Sequence, residues 1–182
     1  NAGHVVEVDF SGFKEIIAAV GGTEICFWYV TRDHNTGLDQ QPGCHILDGM
    51  QALAYARSRH FEEFRDGQWR EDPRSDLGRI ERQQDFIEQT AKSVTAKVQS
   101  DPFVASELIE AATGAVSMDP NLDPVAAAGT LRKAFSAGVR KYQLPVVGAT
   151  KNGNAVLLVG DGAQPILDYF RGVGPAPAVV ED

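Results

Sequence analysis

Arginine is concentrated in one stretch of the 182-residue chain. Seven of the 11 arginines lie between residues 57 and 82, whereas all six lysines lie outside that stretch. The guanidinium group is planar and binds a phosphate or carboxylate through two parallel hydrogen bonds, a geometry that lysine cannot match. The stretch therefore indicates a site that recognises an anion. Its arginines are Arg57, Arg59, Arg65, Arg70, Arg74, Arg79 and Arg82.

Arg79 and Arg82 strengthen this interpretation because they fall in the first turns of a predicted helix. The helix dipole already places positive charge there, so each cation costs about 0.3–1 kcal/mol unless an anion is bound nearby. Free N–H groups at helix N-termini also bind phosphate. Asp76 lies just before this helix, where it can cap the helix and hold Arg79. Gln83 lies one turn beyond Arg79 on the same face.

A surface salt-bridge network also explains the stretch. Arg57 and Arg59 fall at the predicted C-terminal end of a helix, where the dipole alone favours cations. His60 follows them directly and is either the edge of an anion site or a surface histidine. Interspersed acidic residues would neutralise the other arginines, so both alternatives stay open. These acidic residues are Glu62, Glu63, Asp66, Glu71, Asp72, Asp76 and Glu81.

The elements that carry these residues follow from the hydrophobic pattern and from capping and turn residues. Residues 60–77 have no apolar period, which predicts a long loop, and the next helix is predicted from about Leu77 to Gln99. The mixture of helices and strands predicts an α/β or α+β sandwich. The other predicted elements are a strand over 4–10, a helix over 12–20 capped by Ser11, a buried strand over 24–30, a turn-rich loop over 33–43, a helix from Asp48 to about Arg59 with Gln51 in a capping box, helices over 102–116 and 124–137, a hairpin at 151–154 and a helix over 164–170.

Composition limits the classes of protein to which the chain can belong. A formal net charge of −8 argues against a general nucleic-acid binder. No apolar run approaches the roughly 18 residues of a membrane span, and no signal peptide is recognisable. The histidines have no metal-ligand spacing with the cysteines, and no glycine-rich phosphate loop is found. The two cysteines, Cys26 and Cys44, permit a disulfide but equally fit two buried thiols.

Several segments resemble the LytR-CpsA-Psr family, especially its actinobacterial members. They are HVVEVDFSGF at 4–13, Gly21-Gly22, LDGMQALAYARSRH at 47–60 and SDLGRIERQQ at 75–84. The resemblance covers residues 4–171, so we interpret 1–171 as a catalytic domain and 172–182 as a flexible tail. It implies an α/β or α+β sandwich with a central mixed sheet flanked by helices. It also implies that the chain holds the C-terminal two-thirds of the family's domain.

The resemblance implies an enzyme that acts outside the cytoplasmic membrane, anchored by an N-terminal helix. Such proteins transfer a glycopolymer (teichoic acid, capsule or arabinogalactan) from a polyprenyl-pyrophosphate carrier to a muramic acid hydroxyl of peptidoglycan, forming a phosphodiester. The lipid tail is expected in an apolar tunnel. Mg²⁺ is expected to assist, with ligands mainly outside this chain, so the chain by itself is interpreted as incomplete for catalysis. The alternative is a non-catalytic module that binds polyprenyl phosphate or an anionic glycolipid.

The resemblance also assigns roles to individual residues. The catalytic residues it implies are Arg57, Arg59, Asp76 and Arg79, with Asp76 orienting the arginines. The residues it implies for binding the pyrophosphate are Arg57, Arg59, Arg79, Arg82 and Gln83. It further implies that Cys26 and Cys44 form a disulfide. No metal ligand is assigned within this chain.

Overall fold

A computed structural model describes most of the chain. The described residues are 4–100, 104–123, 125–127, 129–130, 133, 140 and 142–178. They belong to two compact units, Asn1–Gly138 and Val139–Asp182, which we describe separately. Among the described residues, no helix combines the length and apolar character needed to cross a bilayer.

Among its described residues, the first unit contains four helices with defined bounds, eight short strands, and further helical residues at 125–127, 129–130 and 133. The helices are α1 (Phe10–Val20), α2 (Gly49–Arg57), α3 (Asp76–Ser100) and α4 (Val104–Ala115). The strands are β1 (Val6–Val8), β2 (Thr23–Phe27), β3 (Thr31–Asp33), β4 (Leu38–Gln40), β5 (Gly43–Leu47), β6 (Glu62–Arg65), β7 (Gln68–Glu71) and β8 (Val116–Met118).

The predicted combination of helices and sheets is confirmed, and the sheets of the described residues are small. β1 pairs with β8, β2 pairs with β5, and a four-stranded sheet has the order β4-β3-β6-β7. Every one of these pairings is antiparallel. The strands that the structure describes therefore form several antiparallel sheets where one central mixed sheet was expected.

α1 and α2 start where short polar side chains cap them. Asp48 accepts hydrogen bonds from the backbone N–H groups of Met50 and Gln51, and the Gln51 side chain closes the predicted capping box. At α1 the cap is Asp9, whose Oδ1 lies 2.7 Å from the backbone nitrogen of Gly12. The prediction of Ser11 as this cap was wrong by two residues, because an Asp at Asp9 supplies a better-placed acceptor for the first turn.

Apolar side chains from α1, α2, α3 and the strands between them form the core of the first unit. Ile17, Leu47, Ala52 and Phe86 are each no more than 4% exposed. Gly12 lets α1 approach α4 closely, because a Cβ atom there would overlap the Ala115 carbonyl oxygen. This core holds the C-terminal end of α2 and the N-terminal half of α3 next to each other.

Cys26 and Cys44 form a disulfide, as predicted. They are direct cross-strand partners in the β2–β5 pair. The bridge therefore closes the segment that contains β3 and β4. β2 ends at Phe27, and Trp28 is 85% exposed, so the buried strand predicted as far as Val30 is too long.

Two segments predicted as loops are hairpins. β4 and the last residue of β3 lie in the predicted loop at 33–43, where the two strands pair, and β6 and β7 pair within the predicted loop at 60–77. The β6–β7 turn is Asp66-Gly67, with φ angles of 53° and 77°. Asp-Gly is a preferred sequence for two-residue hairpin turns, and this signal was missed because the flanking residues are polar.

The second unit is a hairpin followed by a helix. β9 (Val146–Lys151) pairs with β10 (Asn154–Val159), and α5 spans Ala163–Phe170. The hairpin predicted around Lys151-Asn152-Gly153-Asn154 and the last helix are both confirmed. Much of the helix predicted at 124–137, and the end of the tail at 179–182, lie outside the described residues.

Candidate functional site

A cavity of about 610 Å³ in the first unit gathers most of the predicted site residues. Four of them, Arg57, Arg59, Arg79 and Gln83, line it. They come from the C-terminal end of α2 and the N-terminal half of α3. Eight of the nine lining residues are polar, and three are arginines, so the cavity fits an anionic group. The lining residues are Phe10, Asp33, Asn35, Thr36, Arg57, Arg59, His60, Arg79 and Gln83.

Asp76 holds two of the arginines. Its Oδ1 atom lies 3.1 Å from Nε of Arg59 and 2.8 Å from a terminal nitrogen of Arg79. Asp76 is the first residue of α3, and Arg59 follows α2, so one carboxylate joins the two elements. This geometry fits the orienting role that the resemblance implied. The Nε atom of Arg79 is buried and has no hydrogen-bond partner among the described residues, so part of its bonding capacity is unused.

Arg57 is fixed by an aromatic ring. Its guanidinium carbon lies 4.4 Å from the centroid of the Phe10 ring, at the start of α1. A guanidinium over a ring face is attracted to the ring electrons and stays largely solvated at its edges. Its N–H groups can therefore still bind a ligand. Phe10 is the single apolar member of the lining set, so the apolar tunnel expected for a lipid tail stays a prediction.

Gln83 lines the cavity and also supports α2. Its Nε2 atom donates a hydrogen bond of 2.9 Å to the carbonyl oxygen of Ala56. That carbonyl belongs to the last turn of α2, where helix carbonyls lack partners within the helix. The second N–H and the amide oxygen of Gln83 remain for a ligand.

Arg82 does not line the cavity, contrary to its predicted contact with the pyrophosphate. It is 6% exposed, and its terminal nitrogens bond to Asp72 at 3.0 Å and to the carbonyl oxygen of Ser58 at 2.8 Å. Its guanidinium also lies over the Phe61 ring. Because its guanidinium donates a hydrogen bond to the Ser58 carbonyl oxygen, Arg82 supports the segment between Arg57 and His60.

Asp72 is the carboxylate that neutralises Arg82. Burial raises the pKa of Asp72, but hydrogen bonds from Arg74 and Arg82 lower it by more, so the pKa lies below its ordinary value. Arg74 contacts Asp72 and Glu81, Arg65 contacts Glu63, and Arg70 contacts Asp66. Arg65, Arg70 and Arg74 therefore form the surface salt bridges of the alternative explanation. Arg57, Arg59 and Arg79 line the cavity.

Asp33 is a site residue that the sequence analysis missed. It is fully buried and also lines the cavity. Oδ2 accepts hydrogen bonds from Ser58 Oγ at 2.7 Å and from the backbone nitrogen of His60 at 3.0 Å, and Oδ1 accepts one from the backbone nitrogen of Asn35 at 2.8 Å. Burial raises the pKa of Asp33, but these hydrogen bonds lower it by more, so it lies below its ordinary value. An Asp that begins a polar turn, as in Asp33-His34-Asn35-Thr36, was the available signal.

His60 lines the cavity as well, which places it at the site. Its Nδ1 atom lies 2.7 Å from Oε1 of Glu71, the last residue of β7. The side chain of His60 is 59% exposed, so ligands in solution can reach it. The β6–β7 hairpin therefore contributes a carboxylate to the edge of the arginine cavity.

The described residues do not fit a Mg²⁺ ion held by this chain alone. Mg²⁺ prefers several oxygen ligands around it, typically carboxylates and phosphates. Within the described ranges, no three His, Cys, Asp or Glu side chains lie together as a ligand set. The two carboxylates beside the arginines already bond to protein groups: Asp33 to Ser58 and His60, and Asp76 to Arg59 and Arg79.

The chain is similar in sequence to a known protein family and to several of its members. The model of the LytR_cpsA_psr family matches residues 1–164. The chain is 29% identical over 183 aligned residues to the cell wall biosynthesis protein LcpA of Corynebacterium glutamicum, covering 98% of the chain and 33% of LcpA. It is 30% identical over 157 residues to TagU of Enterococcus faecalis, a polyisoprenyl-teichoic acid–peptidoglycan teichoic acid transferase, covering 82% of the chain and 45% of TagU.

A solved structure supports the fold. The LytR-Csp2A-Psr enzyme from Actinomyces oris superposes with a TM-score of 0.78 at 26% identity, covering 93% of this chain and 64% of that one. The chain spans about one third of LcpA and less than half of TagU.

Proposed function

Because the chain belongs to the LytR-CpsA-Psr family, we propose that it carries the pyrophosphate-binding site of a cell-wall glycopolymer transferase. The transferase moves a glycopolymer from a polyprenyl-pyrophosphate carrier to a muramic acid hydroxyl of peptidoglycan, and the new bond is a phosphodiester. The single observation that carries the proposal is the convergence of Arg57, Arg59, Arg79 and Gln83 on one cavity.

The names of the relatives support the substrate class. TagU is named for a polyisoprenyl-linked teichoic acid and for peptidoglycan, and LcpA is named for cell wall biosynthesis. Carried over to this chain, these names favour action at the cell wall, outside the cytoplasmic membrane. The membrane anchor by an N-terminal helix, and arabinogalactan as the polymer, rest on the resemblance to actinobacterial members alone.

The chemistry follows from the charges in the cavity. The acceptor oxygen attacks the phosphorus that carries the glycopolymer, and the bond from that phosphorus to the polyprenyl phosphate breaks. Negative charge then grows on the departing polyprenyl phosphate. Arg57, Arg59 and Arg79 would bind this charge, and preorganised cations of this kind stabilise phosphoryl-transfer transition states. The arginines are held before substrate arrives, since Asp76 and Phe10 already fix their orientation.

Buried residues would keep the arginines in place. Arg82 and Asp33 bond to the carbonyl and hydroxyl oxygens of Ser58, which separates Arg57 from Arg59. We therefore propose Arg82 and Asp33 as positioning residues. Mg²⁺ is proposed on the resemblance alone; it would supply charge neutralisation on the phosphates, with protein ligands outside the residues described.

Turnover in the full-length protein tests the proposal. The protein is incubated with a polyprenyl-pyrophosphate-linked glycopolymer, Mg²⁺ and peptidoglycan fragments, and released polyprenyl phosphate is measured. We expect release that depends on the acceptor and falls by about 100-fold or more in Arg57→Ala and Arg79→Ala. Lys92→Ala is the matched control, because Lys92 lies on α3 and pairs with Glu88 on an exposed surface.

The same assay separates the two functions considered for this chain. Lipid binding without release under any condition would support the non-catalytic binding module. Absence of both binding and release would contradict the proposed site altogether.

A further inference from the structure

We propose that His60 accepts the proton of the attacking acceptor hydroxyl and that Glu71 positions its imidazole for that step. The inference rests on the proposed transferase function and adds to it a proton acceptor, which the arginines and Gln83 do not provide. Arginine stays protonated and an amide is not basic, so neither can remove the proton.

His60 is held at the cavity from two sides. Its backbone nitrogen donates to the buried carboxylate of Asp33, and its side chain bonds to Glu71 on β7. The backbone of the hairpin is anchored beside it, because the nitrogen of Asp72 donates a 2.7 Å hydrogen bond to the carbonyl oxygen of Phe61. The backbone of His60 is therefore held by β3, and its side chain is held by β7.

The partner of Nδ1 determines the tautomer of His60. An ionised carboxylate can only accept a hydrogen bond, so the proton between His60 and Glu71 lies on Nδ1. In a neutral imidazole, Nε2 is then the basic nitrogen. Among the described residues, Nε2 has no hydrogen-bond partner, because His60 bonds to Asp33 through its backbone nitrogen and to Glu71 through Nδ1. A histidine oriented by a carboxylate is the arrangement that general-base catalysis uses.

The charges around His60 come from every neighbouring element. Arg57 ends α2 and Arg59 follows it, Arg79 lies on α3, Asp33 lies on β3 and Glu71 lies on β7. The arginines would bind the phosphates, and Glu71 would stabilise the imidazolium that forms when His60 takes the proton. The cavity thus places a base and anion-binding cations within one lining set.

The step balances in atoms and charge. The acceptor O–H bond breaks, its proton moves to Nε2 of His60, and its oxygen forms a bond to the phosphorus that carries the glycopolymer. The bond from that phosphorus to the oxygen of polyprenyl phosphate breaks, and the electron pair leaves with polyprenyl phosphate. The imidazolium afterwards loses its proton to solvent or to the leaving phosphate.

The test uses His60→Ala in the full-length protein, assayed for turnover and for lipid binding. We expect turnover to fall by about 100-fold or more, as for removal of a general base, while the affinity for polyprenyl pyrophosphate changes by less than about twofold. Because His60 is exposed, imidazole added to the solution should restore at least about a tenth of the lost activity. A histidine with a purely structural role would not respond to imidazole in this way.

Two further variants keep the test decisive. His60→Gln retains a polar side chain of similar reach and serves if His60→Ala unfolds; it should show the same loss of turnover. The matched control is His4→Gln, since His4 also pairs with a carboxylate, Asp119, at 3.1 Å but does not line the cavity. Turnover in His4→Gln should equal that of the wild type.

The outcomes distinguish the two proposals. Wild-type turnover in His60→Gln, or a loss of turnover with no response of His60→Ala to imidazole, would overturn the role of His60 and leave the transferase standing. A wild-type protein that releases no polyprenyl phosphate would contradict the transferase itself, and the role of His60 would fall with it.

Discussion

Asp33 and Ser58 form a buried side-chain hydrogen bond, with 2.7 Å between Oδ2 and Oγ. Neither residue is exposed to solvent. Ser58 follows the last residue of α2, whereas Asp33 ends β3. This bond therefore joins the end of a helix to a strand of the β3–β4 hairpin. The arginines on either side of Ser58 thereby depend on a carboxylate 25 residues earlier in the chain.

Asp33→Asn should make the stability of the protein depend less on pH. The folded pKa of Asp33 is lowered, so its stabilising contribution is present above its unfolded pKa of about 4 and is lost as pH falls through the folded pKa. At neutral pH the variant should lose about 1–3 kcal/mol, because an amide cannot accept all the hydrogen bonds of a carboxylate. Urea unfolding from neutral pH downward should show the gap to the wild type narrowing in acid.

Asp39→Asn is the control for this experiment. Asp39 is an exposed residue of the neighbouring strand β4, so its replacement should leave the unfolding free energy nearly unchanged. A constant gap between wild type and Asp33→Asn across the acid range would contradict the account.

Arg82→Met should destabilise the fold far more than Arg65→Ala. The side chains of Arg82 and Asp72 are 8% and 9% exposed, and the change removes buried hydrogen bonds from Arg82 to Asp72 and to the Ser58 carbonyl oxygen, at a cost of about 2–3 kcal/mol. The side chain of Arg65 is 45% exposed and pairs with Glu63, so its loss should cost less than about 1 kcal/mol. Equal unfolding midpoints for the two variants would show that Arg82 does not support the segment beneath the cavity.

Reduction of the Cys26–Cys44 disulfide should lower stability. The bridge spans 18 residues, and a loop of that length is worth about 3 kcal/mol in the chain-entropy account. Thermal unfolding with and without dithiothreitol measures the effect, and Cys26→Ser/Cys44→Ser serves as the variant that should not respond to the reductant. Two free thiols in the denatured, non-reduced protein would refute the bridge.

Alanine substitutions at two glycines should have opposite signs. Gly67 has a φ of 77° in the β6–β7 turn and no neighbour that a Cβ would meet, so Gly67→Ala should cost about 1–2 kcal/mol through the backbone alone. Gly114 lies in α4, again with open space around it, so Gly114→Ala should stabilise by about 0.5–1 kcal/mol. Chemical denaturation of both variants checks the pair, and stabilisation by Gly67→Ala would contradict the turn geometry.

The strongly patterned parts of the fold were predictable from the sequence. The capping residues Asp48 and Gln51 and the long helix α3 follow from local rules, and the structure has both. The hairpins at 31–40 and 62–71 were missed because their short strands lack an apolar alternation. In the second of them, pairing is supported by Phe64 and Trp69, whose ring centroids are 5.4 Å apart, and by the Asp-Gly turn.

The site was predictable where residue type and position on a helix determine it. Arg57, Arg59 and Arg79 stand out by residue type and by their positions at helix ends, and all three line the cavity. Arg82 has the same signature, but tertiary packing turns it toward Asp72 and Ser58. Asp33 became a site residue only through folding, since its partners lie 25 and 27 residues away in sequence.

Calorimetric titration of a polyprenyl pyrophosphate into the full-length protein tests the central claim that the arginine cavity binds the pyrophosphate. We expect Arg79→Ala to weaken binding by about 2 kcal/mol, or roughly 30-fold, because it removes a charged hydrogen-bond partner of the phosphates. Lys92→Ala, on the same helix but paired with Glu88, should bind like the wild type. Equal affinities for wild type, Arg79→Ala and Lys92→Ala would contradict the claim.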